Sequence, residues 1–408
     1  MGFARDLHEI PRPGLYQSTL IPPFPATAMV FFWRNSPEYE SRVGKPFKPP
    51  IATLKDIHDA VPKQLLQKNH FKSALYVVRD AVLAAFLYSC ASRISPWADA
   101  DACAWSTYWV FQSLVGAGIF CIGHDAGHSS LFESKTVNNL VGFICHSYLL
   151  IPYFSWRTTH HAHHKATGSM ERDENYVPYT RSKFNLPPES KATSFDYAEV
   201  FEETPFFTLF RMTIMQTFGW WMYLTQNTMG APHHPPGTNH FGTGSSLFKE
   251  EQRMSIVLSN AGIGCMALLL YLSGREFFLW YYLPPIVMFT YLHHSDPTIP
   301  HYRKAEWNFL RGATATVDRP LLGWFGRFFF HNISHDHIAH HNGPEITVRI
   351  KEILQDDYNY DSTPSFYALY RSFTECLFVE EDADIVFYKN KEGNAVRAVD
   401  PVYFKRSE

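Results

Sequence analysis

Residues 124–164 read HDAGHSSLFESKTVNNLVGFICHSYLLIPYFSWRTTHHAHH. Two histidine clusters, His124 with His128 and His160 with His161, His163 and His164, flank an apolar stretch at 136–154. If that stretch crossed a bilayer once, the clusters would face opposite sides of a hydrocarbon core about 30 Å thick and could not share a metal centre. If they share one, the stretch lies in the interface or enters and leaves on the same face. The architecture of the whole chain turns on which of these holds.

Upstream, Leu54 to Gln67 carries apolar residues at helical spacing and reads as an amphipathic helix leading to the membrane. The apolar run Tyr76 to Ala91, with its flanks, predicts a spanning helix over 71–93, and a second over 105–122. A span needs about 20 mostly apolar residues. Downstream, 254–273 and 276–293 read as a hairpin of two spans around Gly274-Arg275, the second kinked by Pro284-Pro285. The stretch 206–224 holds Arg211 among several Trp and Tyr, which predicts an interfacial helix. Two crossings before the first cluster and two before the last put every histidine cluster on one face. The expected fold is therefore all-α and integral to the membrane. It has four transmembrane helices, interfacial helices at 136–154 and 206–224, and a cytosolic His-rich cap. Residues 1–50 are expected to form a Pro-rich flexible tail, 51–394 the membrane domain and 395–408 a C-terminal tail.

Composition agrees with a membrane setting. Of 408 residues, 16% are aromatic and only 18% charged, a balance suited to rings anchored at a bilayer interface. The mean hydropathy of -0.20 averages concentrated apolar runs with long polar ones. A net charge of -3 gives no reason to expect a nucleic-acid partner. The six cysteines are scattered with no C-x-x-C pair, so they read as reduced thiols. The N-terminus lacks the layout of a signal peptide, and the first apolar segment can serve as the targeting signal.

Histidine is the anomaly, with 21 in the chain. His124 and His128 stand at i, i+4, on one helix face. His160-His161-Ala162-His163-His164 and His337-Ile338-Ala339-His340-His341 both contain H-x-x-H-H, which turns three rings to one side. One triplet could be chance on a polar helix; two triplets and a pair beside apolar segments are hard to explain as solvated or packed histidines. The pair and triplets supply eight ligands, and His294, with His293 as its competitor, offers a ninth. Structural zinc wants four ligands, catalytic zinc three and a water. Eight or nine imidazoles suit two irons better. Asp125, Asp173 and Asp336 are candidates to orient the rings, although a solvated acid is as ordinary a reading. Such a centre beside a membrane implies oxidation of something lipid-soluble, with O2 and two electrons attacking an unactivated C–H bond. A non-catalytic metal-binding or metal-transport membrane protein would instead spread its histidines along a path among the spans. Here they sit at helix ends.

At these clusters the sequence resembles the membrane fatty acyl desaturases, most closely the fungal and plant delta-12 (oleate) branch. The matching stretches are GHDAGHSS (123–130), WRTTHHAHHKATGSMERDENYVP (156–178), YLHHSDPTIPHYRKAEWNFLRGATATVDRP (291–320) and FHNISHDHIAHH (330–341). The resemblance implies endoplasmic reticulum membranes, four spans and two non-haem irons. It also implies electrons from cytochrome b5 and its NADH-dependent reductase, a fatty acyl lipid or acyl-CoA substrate, and a cis double bond at delta-12 of an oleoyl-type chain. Residue by residue it implies His124, His128, His160, His163, His164, His294, His337, His340 and His341 as ligands, and not His161. No H-P-G-G haem motif is present, so the b5 donor is expected to be a separate protein. Three positions depart from the pattern. Asp125 replaces the usual Glu, His335 stands where an acid is common and is either a tenth ligand or a neighbour, and Asn342-Gly343-Pro344 shortens the segment after His341. These departures keep open an acetylenase, conjugase or hydroxylase acting on an unsaturated chain.

Overall fold

A computed structural model describes residues 33–94, 102–273, 286–333 and 342–404. Among the described residues the architecture is mostly helical, with little strand. We label the principal helices α1 (His70–Ala91), α2 (Ala102–Gly127), α3 (Lys135–Tyr148), α4 (Tyr153–Ala166), α5 (Pro205–Gln226), α6 (Arg253–Leu272), α7 (Ile286–His294), α8 (Gly343–Leu354) and α9 (Ser365–Glu375). Among the described residues the only ladder is an antiparallel pair, His301–Tyr302 with Ile385–Val386.

Side-chain caps fix several helix starts. Asn69 accepts from Lys72 N ahead of α1, and Thr204 accepts from Phe207 N ahead of α5, which also carries Pro205 in its first turn, where a missing N–H costs nothing. Among the described residues three helices are long and apolar enough to cross a membrane: His70–Ala91, Ala102–Gly127 and, with the turn ahead of α6, Glu250–Leu272. Their outward faces remain apolar, as at Val78, Val82 and Phe86 on α1 and Leu268, Leu269 and Leu272 on α6. Such a face suits lipid rather than water.

The helices pack in a chain of neighbours. α1 lies on α2 and α2 on α3; α6 covers both α3 and α4; α7 rests on α5 and α9. Close approach between α2 and α3 depends on Gly123, where an added Cβ would come within 2.2 Å of the His146 ring. Gly118 does the same for α1, since a Cβ there would meet the Asp80 carboxylate at 2.7 Å.

Several expectations shift. The helix expected over 54–67 breaks after Ala60: Val61, extended ahead of Pro62, ends one helix, and a short 3-10 turn, Lys63–Leu66, follows. The span expected at 105–122 is longer at both ends, and α2 runs on through His124 to Gly127. The stretch 136–154 is two helices, not one: α3 stops at Tyr148, Leu150 takes φ 58°, and α4 restarts at Tyr153. At 14 residues α3 is about 21 Å long, too short to cross. α5 is long enough but is not among the helices apolar enough to span. For the span expected at 276–293, residues 286–293 are described as α7; the Gly274-Arg275 turn and Pro284-Pro285 lie outside the described residues.

Part of the expected 1–50 tail is docked. Pro37–Arg42 is helical, Tyr39 and Arg42 are buried, and Ser36 donates to Asp361 Oδ1 at 2.6 Å. Near the other end, Val399 bridges Phe47. These segments converge on a buried ionic network. Arg319 Nη2 meets Asp296 at 2.6 Å and Nη1 meets Asp361, while Arg371 contacts both carboxylates. Burial raises the Asp361 carboxyl, but Arg319 and Arg371 outweigh it and hold it well below the ordinary range. The network ties the loop after α7 to α9 and so fixes the position of His294.

Candidate metal centre

α2 delivers His124 from its last turn and His128 follows directly after its end, and α4 delivers His160, His163 and His164 from its C-terminal half. The ligand nitrogens of His124, His128, His160 and His164 lie within 4.8 Å of one another, a group able to hold a metal ion. Nε2 of His160 and Nε2 of His164 are 3.0 Å apart. A second grouping joins α4 to α7, with Nε2 of His163 3.3 Å from Nε2 of His294. Thus clusters far apart in the chain share one site, and His294, not His293, faces His163.

The donor set fits metal. A metal-binding imidazole is normally steadied through its other nitrogen by a carboxylate or carbonyl. His163 Nδ1 donates to Asp173 Oδ1 at 2.6 Å, and His124 Nδ1 lies 3.0 Å from Asp125 Oδ1. Both arrangements leave Nε2 for the centre. Asp173 is itself fixed, because its oxygens accept from the backbone N–H of Gly168, Asn175 and Tyr176. Burial, then the neighbouring imidazoles led by His164, pushes His160 well below the ordinary histidine range, which keeps the ring neutral. Nε2 of His161 is bonded to Gly127 O at 3.0 Å.

His337, His340 and His341, together with His335 and Asp336, lie outside the described residues. The segment leading to them is described as far as Ile333. There His331 Nε2 meets Asp80 Oδ2 at 2.7 Å, with Arg79 beside them. An ionisable residue buried in a spanning helix needs such a partner. The pair ties α1 to the chain that runs into the third cluster.

A cavity of about 180 Å³ opens beside the imidazoles, lined by Phe120, Trp156, Met215, Trp220, Val287 and Tyr291, with His124, His160, His163 and His294 among its walls. Trp156 stacks on His160 with ring centroids 4.4 Å apart. Thr159, Tyr223, His240 and Asn175 form a hydrogen-bonded group along one side. Sequence patterning missed His146, His240 and His331, because each is a lone histidine. Burial depresses His146 to about 3 and His240 to about 4, so both are neutral packing groups.

The family model for fatty acid desaturase matches residues 103–349, more than half of the chain. The chain belongs to the fatty acid desaturase family. It is 38% identical over 369 residues to a delta(12) fatty acid desaturase from Mortierella alpina, covering 83% of this chain and 91% of that protein. It is 34% identical over 370 residues to a delta(12)-fatty-acid desaturase from Arabidopsis thaliana, covering 84% and 93%. An oleate hydroxylase from Claviceps purpurea is 35% identical over 403 residues, covering 85% and 83%. Family membership makes the chain an oxidoreductase acting on fatty acyl substrates. It sets aside the non-catalytic metal-binding reading.

Proposed function

We propose that this desaturase inserts a cis double bond at delta-12 of an oleoyl-type acyl chain. The carrying observation is the apolar cavity beside His124, His160, His163 and His294. A methylene chain has no polar group to satisfy, so it suits such walls, and the cavity brings its carbons beside the imidazoles. Two irons, held by His124, His128, His160, His163, His164, His294, His337, His340 and His341, would supply the reduction of O2 and the abstraction of hydrogen. Two adjacent CH2 groups each lose one hydrogen, and the four electrons that reduce O2 to two waters come half from the substrate and half from the donor. Cytochrome b5 with its NADH-dependent reductase is the expected donor. Phe120, Trp156 and Trp220 exclude bulk water from the reacting carbons, and Asp173 and Asp125 orient His163 and His124.

Four crossings fit this reading, with the centre facing the cytosol of the endoplasmic reticulum. His163 and His294 adjoin, yet a spanning-length helix, α6, lies between them in the chain. An even number of crossings must separate residues that share a face, and the proposed fourth crossing, over 276–293, would restore that parity.

A second reading, hydroxylation, draws on the hydroxylase relative. It uses the same O2 and electrons, inserts one oxygen into a C–H bond and yields one water. Expression in yeast, with fatty acids analysed by gas chromatography–mass spectrometry, decides the matter. New linoleate is the expected result. Hydroxylated, acetylenic or conjugated products without linoleate would overturn delta-12 desaturation.

A further inference from the structure

Outside the histidine centre, one further group of donors converges among the described residues. Glu174, His233 and His234 bring their ligand atoms within 4.8 Å of one another. His233 is exposed, whereas the His234 side chain is 7% exposed. Proline flanks the pair on both sides, at Pro232 and at Pro235-Pro236, which restricts the turn that presents them.

Hydrogen-bond accounting shows why a cation belongs there. Thr238 Oγ1 donates its only proton to Pro235 O at 2.7 Å. The 3.0 Å contact between Thr238 Oγ1 and Ser246 Oγ must therefore use the Ser246 proton. With that proton spent, Ser246 can only accept from His234 Nδ1, 2.8 Å away. Neutral His234 thus carries its proton on Nδ1, and the Nε2 lone pair points at Glu174 Oε2, 2.6 Å off. Two lone pairs at that distance repel unless a positive centre lies between them. A proton satisfies those two atoms as a charged pair, whereas a cation that displaces it can also take the third donor, His233, whose ligand atom lies in the same group. A metal ion uses all three.

We propose that Glu174, His233 and His234 form a zinc-class site, separate from the histidine centre, with two neutral imidazoles, one carboxylate and an open fourth position. That donor set is typical of zinc with a water or exogenous ligand. Ser246 on His234 Nδ1 supplies the orienting contact that a ligating imidazole normally has. Glu174 directly follows Asp173, so an ion here braces the loop that holds His163 in place. The site does not depend on which reaction the histidine centre catalyses.

The test uses the iron-loaded full chain in detergent, titrated with micromolar zinc chloride. Bound zinc and iron are counted together by mass spectrometry after dialysis. One extra zinc per chain, with iron content unchanged, is the expected result. Exposed His233 can be changed without disturbing packing, so His233→Asn keeps its iron but binds the extra zinc at least about tenfold more weakly. Glu174→Gln behaves likewise. No zinc beyond the iron, zinc entering only as iron leaves, or H233N binding zinc as tightly as the wild type would each overturn the site. Counting the two metals separately keeps this result distinct from any failure of the di-iron reading.

Discussion

Oδ1 of Asp173 lies 2.6 Å from Nδ1 of His163 and also accepts from two backbone N–H groups, so one carboxylate both shapes a loop and aims a ring. Asp173→Asn keeps the size of the side chain but replaces one acceptor oxygen with a donor. We expect about 10- to 100-fold lower product formation, the usual cost of losing an orienting contact, with iron content reduced and membrane levels of the protein retained. Product and iron per chain in purified membranes are the measurements. Wild-type values for both would show that Asp173 does not orient a ligand.

His161 and His163 stand two residues apart on α4 and make opposite contacts. One bonds a carbonyl at Gly127, the other faces His294. His163→Ala is expected to abolish product while the protein stays in membranes, and His340→Ala to do the same. His161→Ala costs one part-buried hydrogen bond, to Gly127 O, and should keep most activity. Equal loss in H161A and H163A would refute the ligand assignment.

Gly219 lines the apolar cavity, and a Cβ there meets Met215 at 3.4 Å and Val287 at 3.6 Å, ordinary contact distances. Gly219→Ala should therefore be tolerated. Gly219→Leu would fill space that the acyl chain needs, at an overpacking cost of about 1–3 kcal/mol if the cavity is not otherwise used. The expected signature is a shift toward shorter acyl products, or loss of product, in G219L with normal protein levels. Unchanged chain-length preference in G219L would mean that the substrate runs elsewhere.

Asp361 is fully buried between Arg319 and Arg371. Asp361→Ala strands both guanidinium groups and should destabilise the protein by about 3–5 kcal/mol, seen as a large drop in melting temperature in detergent. The pH dependence follows from the depressed carboxyl. Its folded value lies below its unfolded value of about 4, so the pair's full contribution is present above that pH. It is lost as the pH falls toward the folded value. The melting temperature of wild type should fall below about pH 4, and D361A should lose this part of the acid sensitivity. An identical acid profile in the two proteins would contradict it.

Much of the centre was legible because its ligands repeat at helical spacing. His160, His163 and His164 share a face of α4 whatever the rest of the chain does. The break at Leu149–Pro152 was not legible, since the apolar run reads straight through it and only the left-handed Leu150 reveals the turn. Contacts that join distant segments were also hidden. Asp80 reads as a charge near the start of a span, and only the fold brings His331 to it. Ser36 and Arg42 sit in a proline-rich stretch that looks like a tail, yet they complete a network built by Asp296 and Asp361, hundreds of residues away. Local periodicity carries no information about such partners.

Topology offers the last test. α3 is too short to cross, so no crossing separates His128 from His160, and the two clusters can share a face. α6 is long enough to cross, and His294 adjoins His163, which the proposed four-span topology accommodates with a further crossing ahead of His294. On the proposed topology, glycosylation acceptor tags inserted near Lys165 and near Asn342 should both stay unmodified, on the cytosolic side. On the same proposed topology, a tag between Ile94 and Ala102 should be modified. If only one of the first two tags is glycosylated, the crossings between the clusters are odd, and a shared di-iron centre cannot form across a hydrocarbon core about 30 Å thick; if both are, the centre faces the lumen and the proposed orientation fails. If all three stay unmodified, α1 does not span, and the first crossing would have to be sought elsewhere in the chain.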